Sequence, residues 1–176
     1  MSDQAITSTM KSLNIAVLTV SDSRTLDTDS SGQLLQERII STGHACATRV
    51  LLPDDIYQIR SQLSQWIANT EVQVIIVNGG TGLTGRDGTP EAVMPLLDRV
   101  IDGFGELFRH VSYKNIKTSM IASRAVAGTA NGTFIFCIPG SPNACRDAWD
   151  EILKCQLDSR HKPCNLAQLI PRLLEK

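Results

Sequence analysis

Hydrophobic and polar positions along this chain follow two periods, and the switches between them outline its elements. Residues 13–20 (LNIAVLTV) form a near-continuous aliphatic and β-branched run. A run that is apolar on both faces predicts a buried parallel strand. Residues 21–32 are polar and read as a loop. Residues 34–40 are apolar at helical spacing, and Gly43 follows as a stop signal. Ala45–Leu52 reads as a second strand. After the Pro53-Asp54-Asp55 turn, Ile56, Ile59, Leu63, Trp66 and Ile67 mark one face of the clearest amphipathic helix in the chain. Residues 72–77 predict a third, fully apolar strand, followed by a glycine-rich loop over 78–88. Thr89-Pro90-Glu91 then opens a helix, with Thr as N-cap, Pro in the first turn and an acid at the positive dipole end.

Residues 103–123 read as helical in pieces. Two small or β-branched runs, 125–130 and 133–138, flank Asn131-Gly132, the signature of a type I′ hairpin. Pro139-Gly140-Ser141-Pro142 punctuates the chain again. Ser141 and Pro142 occupy the N-cap and first turn of a last helix whose face carries Cys145, Ala148, Trp149, Ile152 and Leu153. Beyond Gln156, Pro163 and Pro171 argue against one long helix. Residues 1–12 read as a loose tail and 13–176 as a single domain. The alternation of strand and helix predicts an α/β fold of three layers, a mostly parallel sheet with helices on both faces plus a C-terminal hairpin. Ligands of such sheets sit beyond the carboxyl ends of the strands. Three loops qualify by position, 21–32, 78–89 and 139–142, and all are rich in Gly, Ser, Thr or Asp.

Composition narrows the function classes. A chain of 176 residues with 42% hydrophobic and 20% charged residues is globular rather than disordered. With 17 basic and 18 acidic residues the net charge is -1, so nothing general favours nucleic acid, and any anion site must be local. No apolar run approaches the length of a membrane span, and the first dozen residues hold no apolar signal core. The five cysteines are odd in number, widely spaced and without a CxxC pair, as thiols of a reducing compartment are. These features predict a cytoplasmic protein without nucleic-acid or membrane partners. His44, His110 and His161 do not cluster, and no Ser-His-Asp or Cys-His arrangement is suggested.

The central loop has two false matches. Gly80 to Gly85 fits GxGxxG, but in the dinucleotide fold the helix begins inside the motif, whereas here it waits for Pro90. The same stretch has P-loop spacing, yet Arg86 and Asp87 stand where Lys and a hydroxyl residue belong. What the loop does offer is backbone amides: glycines permit positive φ and close approach, so N–H groups can face an anion. Thr81, Thr84 and Thr89 add hydroxyls, and Arg86 adds a bidentate phosphate donor. Asp87 is repulsive beside a phosphate unless it holds Mg²⁺; otherwise it stabilises a turn or the helix start, and spacing leaves both open. Of Asp54 and Asp55, one is an N-cap and the other is spare at the same strand end. Ser21, Asp22 and Arg24 close the first strand, as a simple turn or as part of the crevice. Ser141 is an N-cap whose helix start could also meet an anion.

Four motifs in order carry a resemblance: GGTG-x₃-RD-x-TPEA (79–92), GFGELFR (103–109), TSM…SRAVAG (118–128) and PGSP (139–142). Together they resemble the molybdopterin-binding family of molybdenum-cofactor biosynthesis, over roughly residues 13–157. The short C-terminus, residues 127–149 and Pro163-Cys164-Asn165 look closer to its MoaB branch than to its MogA branch. The resemblance implies transfer of AMP from ATP to the terminal phosphate of molybdopterin, with Mg²⁺, and a homotrimer or homohexamer. It implies Asp54 and Asp87 as catalytic and metal-binding acids, and so leaves Asp55 as the cap. Ser21, Asp22, Arg24, Gly79, Gly80, Thr81, Gly82, Arg86, Thr89, Pro90, Glu91, Gly140, Ser141 and Pro142 are then the substrate-binding set. Some MoaB-type members resemble inactive paralogues with the first acid replaced. This chain keeps both acids; a non-catalytic pterin- or nucleotide-binding protein of the same pathway is the alternative.

Overall fold

β1 (Asn14–Val20) sits inside a six-stranded sheet in a computed structural model that describes residues 9–175. The expectation of a tail over 1–12 therefore lies mostly outside the described residues. The strand order is β2-β1-β3-β6-β5-β4, with β2 (Ala45–Leu52), β3 (Val74–Asn78), β4 (Arg99–Val100), β5 (Val126–Ala130) and β6 (Thr133–Ile138). β2, β1, β3 and β6 run parallel, and β5 is antiparallel to both β6 and β4. The long strands fall on the apolar runs, and the fold is the α/β architecture that those runs predict.

The hairpin is not an appendage. β6 pairs with β3 on one side and β5 on the other, and all six of its residues are buried. A strand this apolar needs sheet on both flanks and helices on both faces. Asn131 (φ 45°) and Gly132 (φ 81°) make the turn, both in the left-handed region that a type I′ turn requires.

The pleat divides the core. Ile15 and Val17 of β1 face one layer with Ile76, Phe134 and Phe136, covered by α1 (Ser30–Ser41), α4 (Asp102–Ile116) and α5 (Pro142–Ala148). Ala16, Leu18 and Val20 face the other with Ile75, Val77 and Ile135, covered by α2 (Ile56–Ala68) and the short α3 (Thr89–Val93). Each such large side chain fully buried contributes about 1.5–3 kcal/mol. α5 continues through a π segment (Trp149–Leu153) into α6 (Lys154–Gln156), keeping Trp149 wholly buried.

Two local expectations need correction, and one short strand has no forerunner among them. α1 begins at Ser30, inside the stretch read as loop, because Asp29 caps it by accepting the Gly32 N–H at 2.8 Å. Thr89 is the first residue of α3 rather than its cap: Gly88 holds the cap position and no side chain caps the helix. β4 has no counterpart in the apolar pattern, since both of its residues are exposed. The cap before α2 is Asp55, whose Oδ1 accepts from Tyr57 N and Gln58 N, both at 2.9 Å. Asp55→Ala is expected to lower stability by about 1 kcal/mol, read as a fall in Tm, while leaving the chemistry of the cleft unchanged.

Candidate functional site

The chain passes from β1 leftward to β2 and then rightward to β3, so the sheet has its switch point between β1 and β3. A crevice opens there beyond the strand carboxyl ends, as the geometry of such sheets dictates. A cavity of about 390 Å³ is lined by Thr19 and Val20 at the end of β1, Ser21 and Arg24 beyond it, the start of α1 with its cap (Asp29 to Ser31), Asn78 to Gly82, Asp87, Ser123, Pro139 and Gly140. Of the residues predicted to bind substrate or metal, Ser21, Arg24, Gly79, Gly80, Thr81, Gly82, Asp87 and Gly140 line it.

Glycine is required where these loops meet. Gly79 has φ 102°, and a Cβ on it would stand 2.1 Å from the Val20 carbonyl oxygen. A Cβ on Gly140 would lie 2.8 Å from the Gly79 Cα. The backbones after β1, β3 and β6 thus touch directly. Beneath them lies a buried polar network that the sequence does not announce. The Thr19 hydroxyl donates to Asp29 Oδ2 (2.7 Å), Asn78 Nδ2 donates to Thr19 Oγ1 (3.0 Å) and to the Leu18 carbonyl (3.2 Å), and the Ser31 hydroxyl donates to the Gly140 carbonyl (2.6 Å). An Asp ahead of the first apolar helical position is the available signal for Asp29.

Three acids stand near the glycine loop in different surroundings, and of them only Asp87 lines the cavity. Asp22 takes a bidentate pair from Arg86 (2.8 and 2.9 Å) and the Asp54 N–H (3.0 Å), and these hold its carboxyl below the usual range. Asp87 Oδ2 accepts from the Thr84 hydroxyl and N–H; that hydroxyl first, then the Thr84 and Gly82 amides and the Arg124 charge, holds Asp87 low as well. Asp54 goes the other way. Burial, then the charges of Asp22 and Asp87, push its carboxyl up, and its Oδ1 is buried without a hydrogen-bond partner. The Thr89 hydroxyl is likewise buried and unpartnered, and both oxygens crowd the Gly80 Cα: a Cβ there would lie 2.4 Å from Asp54 Oδ1 and 2.3 Å from Thr89 Oγ1.

Other predicted residues fall elsewhere. Arg86 and Asp22 do not line the cavity and are committed to each other. Pro90 is buried in α3, and the Glu91 carboxylate pairs with Arg124 rather than lining the cavity. Ser141 caps α5 by accepting from Ala144 N (3.2 Å) and lines an adjoining cavity of about 500 Å³, which shares Ser123 and Pro139 with the first; Pro142 occupies the first turn of α5. The helix start that opens on the cleft is that of α1, not α5. Arg124, to which residue type and spacing give no role, binds the glycine loop from behind.

This fold and crevice define a small-molecule-binding α/β domain whose pocket is built from glycine backbone, hydroxyls and carboxylates. The chain belongs to the family described as "probable molybdopterin binding domain", whose model matches residues 16–159. It is 50% identical over 151 residues to the molybdenum cofactor biosynthesis protein B of Escherichia coli (strain K12), covering 86% of this chain and 89% of that one. It is 44% identical to the protein of the same name from Staphylococcus carnosus, over 84% of this chain and 88% of that one. A crystal structure of a molybdenum cofactor biosynthesis protein B superposes with a TM-score of 0.84 at 37% identity, over 94% of this chain and 98% of that one. No helix among the described residues is long and apolar enough to cross a membrane.

Proposed function

We propose that the protein, a member of the family of molybdenum-cofactor biosynthesis, transfers AMP from ATP to the terminal phosphate of molybdopterin and releases pyrophosphate. The observation that carries this reading is Asp54 Oδ1: a buried acceptor with no partner, beside two further acids, at the lip of a glycine loop. A carboxylate placed so is costly unless a cation meets it.

The donor set fits Mg²⁺. Among the described residues no ready-made group of three His, Cys, Asp or Glu encloses a metal. An ion taken up by one or two carboxylates would here use Asp54, whose Oδ1 is buried and unpartnered, and Asp87, with phosphate oxygens completing the shell. Such an ion would neutralise the triphosphate and polarise the α-phosphorus. The chain's own task is then position. A pterin phosphate oxygen attacks the α-phosphorus in line, the bond to the bridging oxygen breaks, and pyrophosphate leaves with the electron pair. Glycine-loop amides hold the anionic oxygens, and Arg86 exchanges the Asp22 carboxylate for a phosphate. The trimer or hexamer implied by the family resemblance belongs to this proposal and is tested by sedimentation.

Two observations favour the rival reading, a non-catalytic pterin- or nucleotide-binding protein: Arg86 is already paired with Asp22, and Asp87 Oδ2 is already bonded by Thr84. The deciding experiment incubates the purified chain with molybdopterin, ATP and Mg²⁺ and follows adenylylated pterin and pyrophosphate. Stoichiometric formation of both supports the enzyme. Binding of either ligand without product supports the rival.

A further inference from the structure

All three nitrogens of the Arg124 guanidinium bond to one segment of chain. Nε is shared between the carbonyls of Thr81 (3.2 Å) and Gly82 (2.8 Å), Nη2 donates to the Asp87 carbonyl (2.7 Å), and Nη1 meets the Glu91 carboxylate. Among the described residues, no other side chain from outside residues 81–88 bonds to the backbone of that loop. The loop's other ties are its own: Thr89 N donates to the Gly80 carbonyl (3.0 Å) at the base, and Thr84 and Asp87 close the tip.

Peptide geometry carries this hold over to the amides. In a trans peptide the N–H points opposite to the C=O. Turning the carbonyls of Thr81, Gly82 and Asp87 towards Arg124 turns the N–H groups of Gly82, Leu83 and Gly88 away from it. A loop rich in glycine would otherwise sample many peptide orientations. Arg124 also differs in kind from Arg86. All three of its nitrogens bond within residues 81–91 and its side chain is only 26% exposed, whereas Arg86 is 66% exposed and held through two nitrogens by a carboxylate that it can exchange.

We propose that Arg124 is a positioning residue that presets the peptide planes of the glycine loop for a phosphate-bearing ligand held with a divalent cation. It acts through the loop and does not touch the ligand. The planar fork is the requirement, because three carbonyls spaced along a loop need donors spread over a rigid plane, whereas an ammonium offers its three donors from a single nitrogen on a flexible stem. The proposal rests on the adenylyl-transfer reading only for its turnover readout. Binding and loop order test it separately.

The experiment compares wild type, Arg124→Lys and Arg124→Ala in the full chain. It measures ATP affinity with Mg²⁺ by calorimetry, amide hydrogen exchange of residues 79–88 and of the sheet, and turnover. The expected result is faster exchange confined to the loop in both variants, and ATP affinity weakened about tenfold (about 1.4 kcal/mol). KM for ATP should rise while kcat at saturation changes less than about threefold. Arg124→Lys folds with its charge intact, so it decides the matter even if Arg124→Ala does not fold. Wild-type affinity and loop exchange in Arg124→Lys would show that charge alone suffices and overturn the proposal. Exchange accelerated throughout the sheet as much as in the loop would make the role one of general stability and overturn it equally. A wild type that binds no ATP with Mg²⁺ overturns it too. A wild type that binds but never turns over defeats the adenylyl-transfer reading alone.

Discussion

Asp54→Asn is expected to abolish AMP transfer and at the same time to raise the Tm of the ligand-free protein. Both effects come from one atom. Asp54 Oδ1 is buried without a partner, and burial with the charges of Asp22 and Asp87 raises its pKa. A carboxyl whose folded pKa is raised penalises the folded state once it ionises, above that pKa; the penalty fades as pH falls and the group protonates. The amide keeps the shape and removes the charge, so the variant should melt higher than wild type near neutral pH. The gap should close on acidification. Turnover should fall roughly a hundredfold or more, with kcat falling further than KM rises, because the lost group acts mainly in the transition state. Melting curves across pH and steady-state rates check both parts. A variant that melts higher yet turns over normally would remove Asp54 from the chemistry.

For Asp87→Asn the expected rate loss is of the same order, and the stability effect has the opposite sign. Thr84 donates to Asp87 Oδ2 from both its N–H and its hydroxyl, which holds the folded carboxyl below its usual pKa. A lowered carboxylate stabilises the fold above the ordinary carboxylate pKa and loses that contribution as pH falls through its own. The variant should therefore melt slightly lower than wild type near neutral pH and converge with it in acid. Losing a cation ligand should cost roughly a hundredfold or more in rate even at saturating Mg²⁺. Near wild-type turnover under those conditions would leave Asp87 as a turn residue only, the alternative that spacing leaves open.

The sheet is legible because its strands are apolar on both faces. Residues 13–20, 72–77 and 133–138 carry no competing period, and their placement holds to within a residue or two. The position of β6 between β3 and β5 is not legible, because periodicity reports burial and not neighbours. The start of α1 is hidden by polarity: Ser30, Ser31 and Gly32 read as loop, yet Ser31 and Gly32 are buried, Ser31 in the wall of the cleft. At Thr89 the hydroxyl promises a cap, yet the residue lies inside the helix and its hydroxyl is buried beside Gly80. In the cleft, the glycines and the odd carboxylate announce themselves by residue type. Asn78, Thr19 and Arg124 do not, because their roles depend on partners far away in sequence.

The contact between Ser31 and the Gly140 carbonyl joins residues 109 positions apart, and the glycine loop lies between them in sequence. No contiguous fragment of the chain can inherit this cleft, because its walls come together only when β6 has joined the parallel strands. Occupancy must therefore be thermodynamically linked to unfolding of the whole domain, and not to the order of the glycine loop alone. A ligand bound only to the native state at a hundred times its Kd would stabilise that state by about 2.7 kcal/mol. A shift of the entire cooperative melt, not a local change in loop mobility, is thus the sensitive way to search for what the pocket holds. Pterins, nucleotides and divalent cations can be ranked by that shift before any turnover is seen.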